Sequence, residues 1–142
     1  MDLSERKEIF KSLYEDVDGH NISRIGRSSV DESERKFLIY GEMPVDELIA
    51  LMNIPAIAND VKEAKVFYDL GSGTGKVVIG VALMFPNIEK VFGIELVKTL
   101  YESSEQVKEK LSQLDKKAAM RANFINDNFF NVDFSNPFSA DI

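Results

Sequence analysis

Val66-Phe67-Tyr68-Asp69-Leu70-Gly71-Ser72-Gly73-Thr74-Gly75-Lys76-Val77-Val78-Ile79-Gly80 is the stretch that decides how this chain folds. Val66 to Leu70 is a short apolar run rich in β-formers, the pattern of a buried strand. Glycines follow at 71, 73 and 75. From Val77 to Phe85 the chain is apolar nearly all round, as in a helix covered on both sides. Strand, glycine loop and helix in this order form a nucleotide-binding arrangement. Glycine permits positive φ and lets backbone approach a ligand with no Cβ in the way. The helix start then offers unpaired N–H groups.

The spacing narrows the ligand. A phosphate loop needs G-x-x-x-x-G-K-[ST]. Counting back from Gly75-Lys76, its first glycine falls on Leu70, and Val77 stands where Ser or Thr belongs. A dinucleotide fingerprint needs G-x-G-x-x-G, and its third glycine falls on Lys76. What remains is D-L-G-x-G-x-G, with Asp69 just before the glycines and no phosphate clamp. That acid suits a ligand with an ammonium group near the loop, such as S-adenosylmethionine (SAM), which carries no phosphate. Lys90 to Leu96 reads as a second strand ending in Glu95, about 20 residues past the loop, where a carboxylate accepts from both ribose hydroxyls. The plainer alternative is a tight βα turn with a chance acid downstream.

The segment D-L-G-S-G-T-G-K-V-V (69–78) resembles motif I of class I SAM-dependent methyltransferases. Upstream, Tyr40-Gly41-Glu42 followed by an amphipathic helix resembles one branch, the non-SET histone lysine methyltransferases of the disruptor-of-telomeric-silencing type. The resemblance covers about Ile39 to Phe130. It implies a Rossmann-like α/β fold with a doubly wound, mostly parallel sheet, SAM as cofactor, and a protein lysine, possibly on a histone, as methyl acceptor. It also implies roles. Tyr40 and the loop through Met43 close over the methionine end of SAM. Asp69 orients the loop and the methionine ammonium. Gly71, Ser72, Gly73, Thr74, Gly75 and Lys76 form the cradle. Glu95 takes the ribose diol, Leu96 packs on adenine, and Asp127 accepts from the adenine amino group. The branch has an aromatic directly after that acid; here Asn128 stands there, and Phe129-Phe130 follow. Each role has a structural alternative: a half-buried aromatic for Tyr40, an Asx-turn residue for Asp127.

Composition sets limits. Of 142 residues, 44% are hydrophobic, enough for a packed core in one domain's worth of chain. There is no cysteine and one histidine, which excludes disulfides, thiolate zinc sites and His-rich metal sites; no metal is expected. No run reaches the ~18 apolar residues of a membrane span, and the N-terminus has no secretory h-region. An intracellular location is therefore expected, the nucleus for a histone acceptor and the cytoplasm otherwise. The net charge of −7 gives no general attraction to a phosphate backbone, so no direct nucleic-acid binding is expected.

The rest of the chain divides into residues 1–60, N-terminal helices and a cofactor-closing loop, and 61–142, the N-terminal half of a SAM-binding domain. Leu3 to Val17 shows helical spacing of Leu3, Ile9, Phe10, Leu13, Tyr14 and Val17, ended by Asp18-Gly19. His20 to Arg35 reads as a polar loop or lid-like segment, with His20 a solvated turn residue. Pro44 suits the first turn of a helix whose apolar face is Val45, Leu48, Ile49, Met52 and Ile54. Pro55 to Lys65 reads as a linker or short helix. Val97 to Lys117 is expected as the longest helix, and its lysines as a solvated face. Arg121 to Ile125 is expected as a third strand, and Ala140-Asp141-Ile142 as the start of a fourth.

In such a sheet strands two and three lie on one side of strand one and strand four on the other. Three strands and a fragment of a fourth leave strand one at an edge. The expectation is thus the N-terminal part of a longer protein. By the resemblance, the acceptor channel and its asparagine lie after strand four, so the catalytic residues are unknown. Two further readings stay open: a class I methyltransferase acting on a small molecule, RNA or a non-histone protein, and a SAM-binding module without activity.

Overall fold

A computed structural model of the chain describes residues 1–26, 41–135 and 137. Tyr40, the second half of the 20–35 segment and the fragment of a fourth strand at 140–142 lie outside the described residues.

Helix α1 (Leu3–Tyr14) starts on Asp2, whose Oδ1 accepts from the Glu5 N–H at 2.8 Å. This is the side-chain cap that orphan N–H groups of a first turn require. Helix α2 runs Gly19–Gly26, so the polar segment expected as a loop from His20 begins as a helix. The reason is twofold. Asp18 caps α2 rather than closing α1, accepting from Asn21 N–H at 3.1 Å. The side of α2 bearing Ser23 and Gly26 is then buried against the element after β2. A Cβ on Gly26 would lie 2.0 Å from Thr99 Oγ1, so only glycine permits this approach. His20 is exposed on this helix.

Helices α3 (Val45–Met52) and α4 (Ala58–Glu63) follow, with Pro44 as the α3 cap. Strand β1 (Val66–Leu70) leads through the glycine loop into α5 (Lys76–Met84). Strand β2 is Lys90–Glu95, then α6 is Lys98–Leu114 and α7 Lys116–Arg121. The single helix expected to Lys117 is split at Asp115, which leaves helical geometry (φ −149°, ψ 89°) and caps the new start by accepting from Ala118 N–H at 3.1 Å. Strand β3 is Ala122–Asn126, one residue later than its spacing suggested, and a 3-10 turn spans Phe129–Asn131.

The strands form a parallel sheet in the order β1-β2-β3, with Asp69 opposite Gly93 and Glu95 opposite Asn126. Strands two and three therefore lie on one side of strand one, as the sequence led us to expect. Central β2 is buried from Val91 to Glu95. On one face of the sheet Phe67, Val91, Ala122 and Phe124 join a core with α1, α3, α5, α6 and α7 that includes Phe10, Leu48, Val78, Val81 and Leu111. On the other, Tyr68 stacks on Phe92 at 4.8 Å and meets Phe134 edge-on. Among the described residues no helix is long and apolar enough to cross a membrane. The parallel register brings the C-terminal strand ends Leu70, Glu95 and Asn126 to one edge, the usual place for ligands in open α/β sheets.

Candidate functional site

The loop from Gly71 to Gly75 turns at the tip of β1 with all three glycines at positive φ: 84°, 58° and 87°. These angles carry a steric cost for any residue with a Cβ. The glycines then differ in what they face. A Cβ on Gly71 would meet nothing within 4 Å, so its α-carbon borders open space. A Cβ on Gly75 would lie 2.7 Å from the Phe124 ring and 3.0 Å from Ser104 Cβ, so there glycine serves the packing of α5 on the sheet.

The open side is a cleft of about 330 Å³ lined by Asp69, Gly71, Ser72, Gly73, Thr74, Lys76 and Val77 from the β1–α5 turn and by Gly41, Glu42 and Met43 from the segment before α3. That volume is in the range of small-molecule sites. Two polar groups of residues in its walls are short of partners, one buried and one half-buried. Ser72 Oγ is buried with no hydrogen-bond partner. Asp69 is held up to about 6, first by desolvation and then by the charge of Glu95. A carboxylate short of counter-charge beside an open cleft favours a cationic ligand group.

Glu95 is only 7% exposed, and each of its carboxylate oxygens accepts one hydrogen bond. Its Oε1 accepts from Gly73 N–H and its Oε2 from Val97 N–H, both at 2.8 Å. The carboxylate thus ties the loop at the tip of β1 to the tip of β2, and each oxygen keeps a second lone pair for a ligand donor. Gly71 N–H and Ser72 N–H add to the tie by donating to Ile94 O. Leu96 is half-buried, packed with Ile22 against Val97 and Leu100.

Beyond β3, Asp127 N–H donates to Glu95 O at 3.2 Å, and Asn126 Nδ2 reaches the carbonyls of Glu95 and Leu96. The turn after β3 is thereby fixed beside Glu95. Asp127 Oδ1 is spent on Asn128 N–H and Asn131 Nδ2, while Asn128 Oδ1 accepts from Phe130 N–H. Phe130 is 83% exposed. Met43, Asp69, Ser72, Thr74, Lys76 and the first two glycines thus share one cleft. Glu95 reaches it through the Gly73 amide, and Gly75, Leu96, Asp127 and Asn128 are not in its walls.

Of two further participants, one was named from sequence only as part of a motif, and the other was not singled out. Glu42 forms an ion pair with Lys76 across the cleft. Tyr14, 60 positions before Thr74, donates its hydroxyl to the Thr74 carbonyl at 3.0 Å. The first had a local signal in the Tyr40-Gly41-Glu42 triplet. The second had none, because α1 reads as an ordinary packing helix.

Comparison with known proteins bears on this cleft. The profile of the family described as "Histone methylation protein DOT1" matches residues 34–140. The chain belongs to the DOT1 family. The DOT1 match contains the whole β1–α5 turn, β2, β3 and the segment 41–44, and the three parallel strands with their helices form part of a Rossmann-like methyltransferase fold. A relative named "Protein-lysine N-methyltransferase", from Saccharolobus islandicus (strain REY15A), is 34% identical over 76 residues. Those residues are 53% of this chain, and they span 43% of the relative's length.

Proposed function

We propose that this chain is the cofactor-binding part of an S-adenosylmethionine-dependent protein-lysine N-methyltransferase. The observation that carries the reading is the cleft at the tip of β1, with Asp69 short of counter-charge and the backbone at Gly71 bordering open space. DOT1 family membership supports the same reading.

The residues present suit this cofactor. Asp69 would take its ammonium group, and the Gly71–Thr74 backbone would lie against its amino-acid end. Glu95, already fixed by Gly73 and Val97, would accept from the ribose hydroxyls with its remaining lone pairs. Leu96 and Asp127 would border the adenine, and Tyr40 and Met43 the methionine end. When bound, the cofactor supplies a methyl group activated by a positive sulfur. The chain's own contribution is positioning in a partly desolvated cleft.

The acceptor we favour is a lysine amine of a protein, and a histone is the specific candidate; such an acceptor would place the protein with chromatin. The net charge of −7 favours a basic protein acceptor over a nucleic acid. A filter assay on the full-length protein with methyl-labelled cofactor tests this against free histones, nucleosomes, other basic proteins and RNA. Label is expected on lysine of a basic protein. Label on RNA or only on a small molecule would overturn the acceptor class, and cofactor binding without transfer to any acceptor would favour a module lacking activity.

A further inference from the structure

Helix α1 lies before the matched residues 34–140, yet its last residue contacts two residues that line the cleft. Tyr14, its last residue, is only 7% exposed, and its ring packs on Phe10 at 5.1 Å. Its hydroxyl donates to the carbonyl of Thr74, just before the last glycine of the loop, at 3.0 Å. The same ring lies 5.5 Å from Lys76 Nζ, within cation–π range. Lys76 in turn pairs with Glu42 on the opposite side of the cleft. One buried side chain thus touches both the peptide that precedes Gly75 and the cation that holds the 41–44 segment.

The loop has reason to need such a tether. Three glycines within five residues widen the backbone's choices, and an unrestrained loop would lose that freedom on binding, at a cost in affinity. Glu95 restrains the loop from the β2 side through Gly73. Thr74 is two per cent exposed and lies on the other flank, where Tyr14 holds it.

We propose that Tyr14 is a positioning residue of the cofactor cleft, fixing the Thr74 peptide by its hydroxyl and the Lys76 ammonium by its ring. Helix α1 is then part of the ligand-binding apparatus and not only a cover for the core. The binding consequence rests on the SAM reading above; the tether itself does not.

The test uses the full-length protein with Tyr14→Phe, which keeps the ring and removes the hydroxyl, and Tyr14→Leu, which removes both. Amide hydrogen exchange at Gly73 and Gly75 in the free protein is read beside SAM affinity by calorimetry, at a temperature where every variant is folded. Tyr14→Phe is expected to speed loop exchange and weaken SAM binding, each about fivefold, the effect of losing one neutral hydrogen bond. Tyr14→Leu is expected to do more, and its added effect on binding to shrink when Lys76→Met is already present, because the ring's route is gone. A merely structural tyrosine would lower the melting temperature and leave both loop exchange and affinity as in the parent; that result overturns the proposal. A parent protein that fails to bind SAM but shows Tyr14-dependent loop protection sinks the cofactor reading and upholds the tether.

Discussion

The loop at the tip of β1 and the turn after β3 both carry an acid at the same edge of the sheet, yet they treat it in opposite ways. In the first, Asp69 receives no side-chain hydrogen bond among the described residues, faces the charge of Glu95, and is raised to about 6. Ser72 beside it is buried without a partner. In the second, Asp127 spends Oδ1 on its own turn, and Asn128 closes the next residue pair. A polar group left uncompensated in a folded protein costs stability. Such a cost is tolerated where a ligand later supplies the missing partner. A group satisfied by its own turn asks for nothing. The contrast ranks the two acids: Asp69 is left short of partners beside the cleft, which supports the ammonium-binding role we propose for it, whereas Asp127 is engaged through Oδ1 by its own turn.

Glu95 is the extreme case between them, a charged group that serves the fold and the cleft together, so its loss should be the largest. Glu95→Ala leaves the buried Gly73 and Val97 amides unpaired. We expect a stability loss of about 3 kcal/mol in urea unfolding and SAM binding at least ~30-fold weaker by calorimetry. Unchanged stability would mean the tie between β1 and β2 is held by backbone alone.

Asp69→Asn should separate the two effects. Removing a charge that lacks a partner is expected to leave the melting temperature of the free protein unchanged or raise it, while the loss of a charge-assisted bond to the ligand ammonium weakens SAM binding about 30-fold. If stability falls as far as in Glu95→Ala, the contrast between the two acids is wrong.

The same acid should imprint a pH dependence of opposite signs. Its folded pKa, about 6, lies above the ordinary 3.8, so the folded state holds the proton more tightly. The destabilisation it contributes is fully present above about pH 6 and is relieved as pH falls from there toward 4. Binding of an ammonium group needs the ionised form. Affinity should therefore hold above about pH 6 and fall below it, by at most about tenfold per unit. Calorimetric titrations at pH 5, 6 and 7.5 check this, with Asp69→Asn flattening the profile.

The smallest effect belongs to the satisfied turn. Asp127→Ala is expected to weaken SAM binding only about fivefold, the loss of one hydrogen bond, with a similar change in stability as the turn loses its two donors' acceptor. A loss as large as that at Asp69 would show that the second oxygen of Asp127 matters more to the ligand than the turn geometry implies.

Much of this was legible in the residues. Two strand-like runs, the three glycines and the acids at 69 and 95 have local signatures, and parallel order follows from alternating strands and helices. Two of the places where reading failed were set from far away, and one by a local cap. Helix α2 was hidden because its short polar sequence is stabilised by burial of Ser23 and Gly26 on the start of α6. The break at Asp115 was hidden because the helical stripe continues across it, and only the Ala118 cap decides that two helices form. Gly75 looked like its two companions, and what distinguishes it is the Phe124 ring from β3.

By itself, then, the sequence determined the elements whose signals are local: the glycine turn, the acid on either side of it and the family they announce. Only the tertiary structure decided which groups share the cleft, which acid is left unsatisfied, that Glu42 pairs with Lys76 there, and that Tyr14 holds the Thr74 peptide. The reason is physical. Backbone preference and hydrophobic period act over a few residues, whereas desolvation, ion pairing and hydrogen-bond satisfaction depend on partners that folding brings together from tens of positions apart.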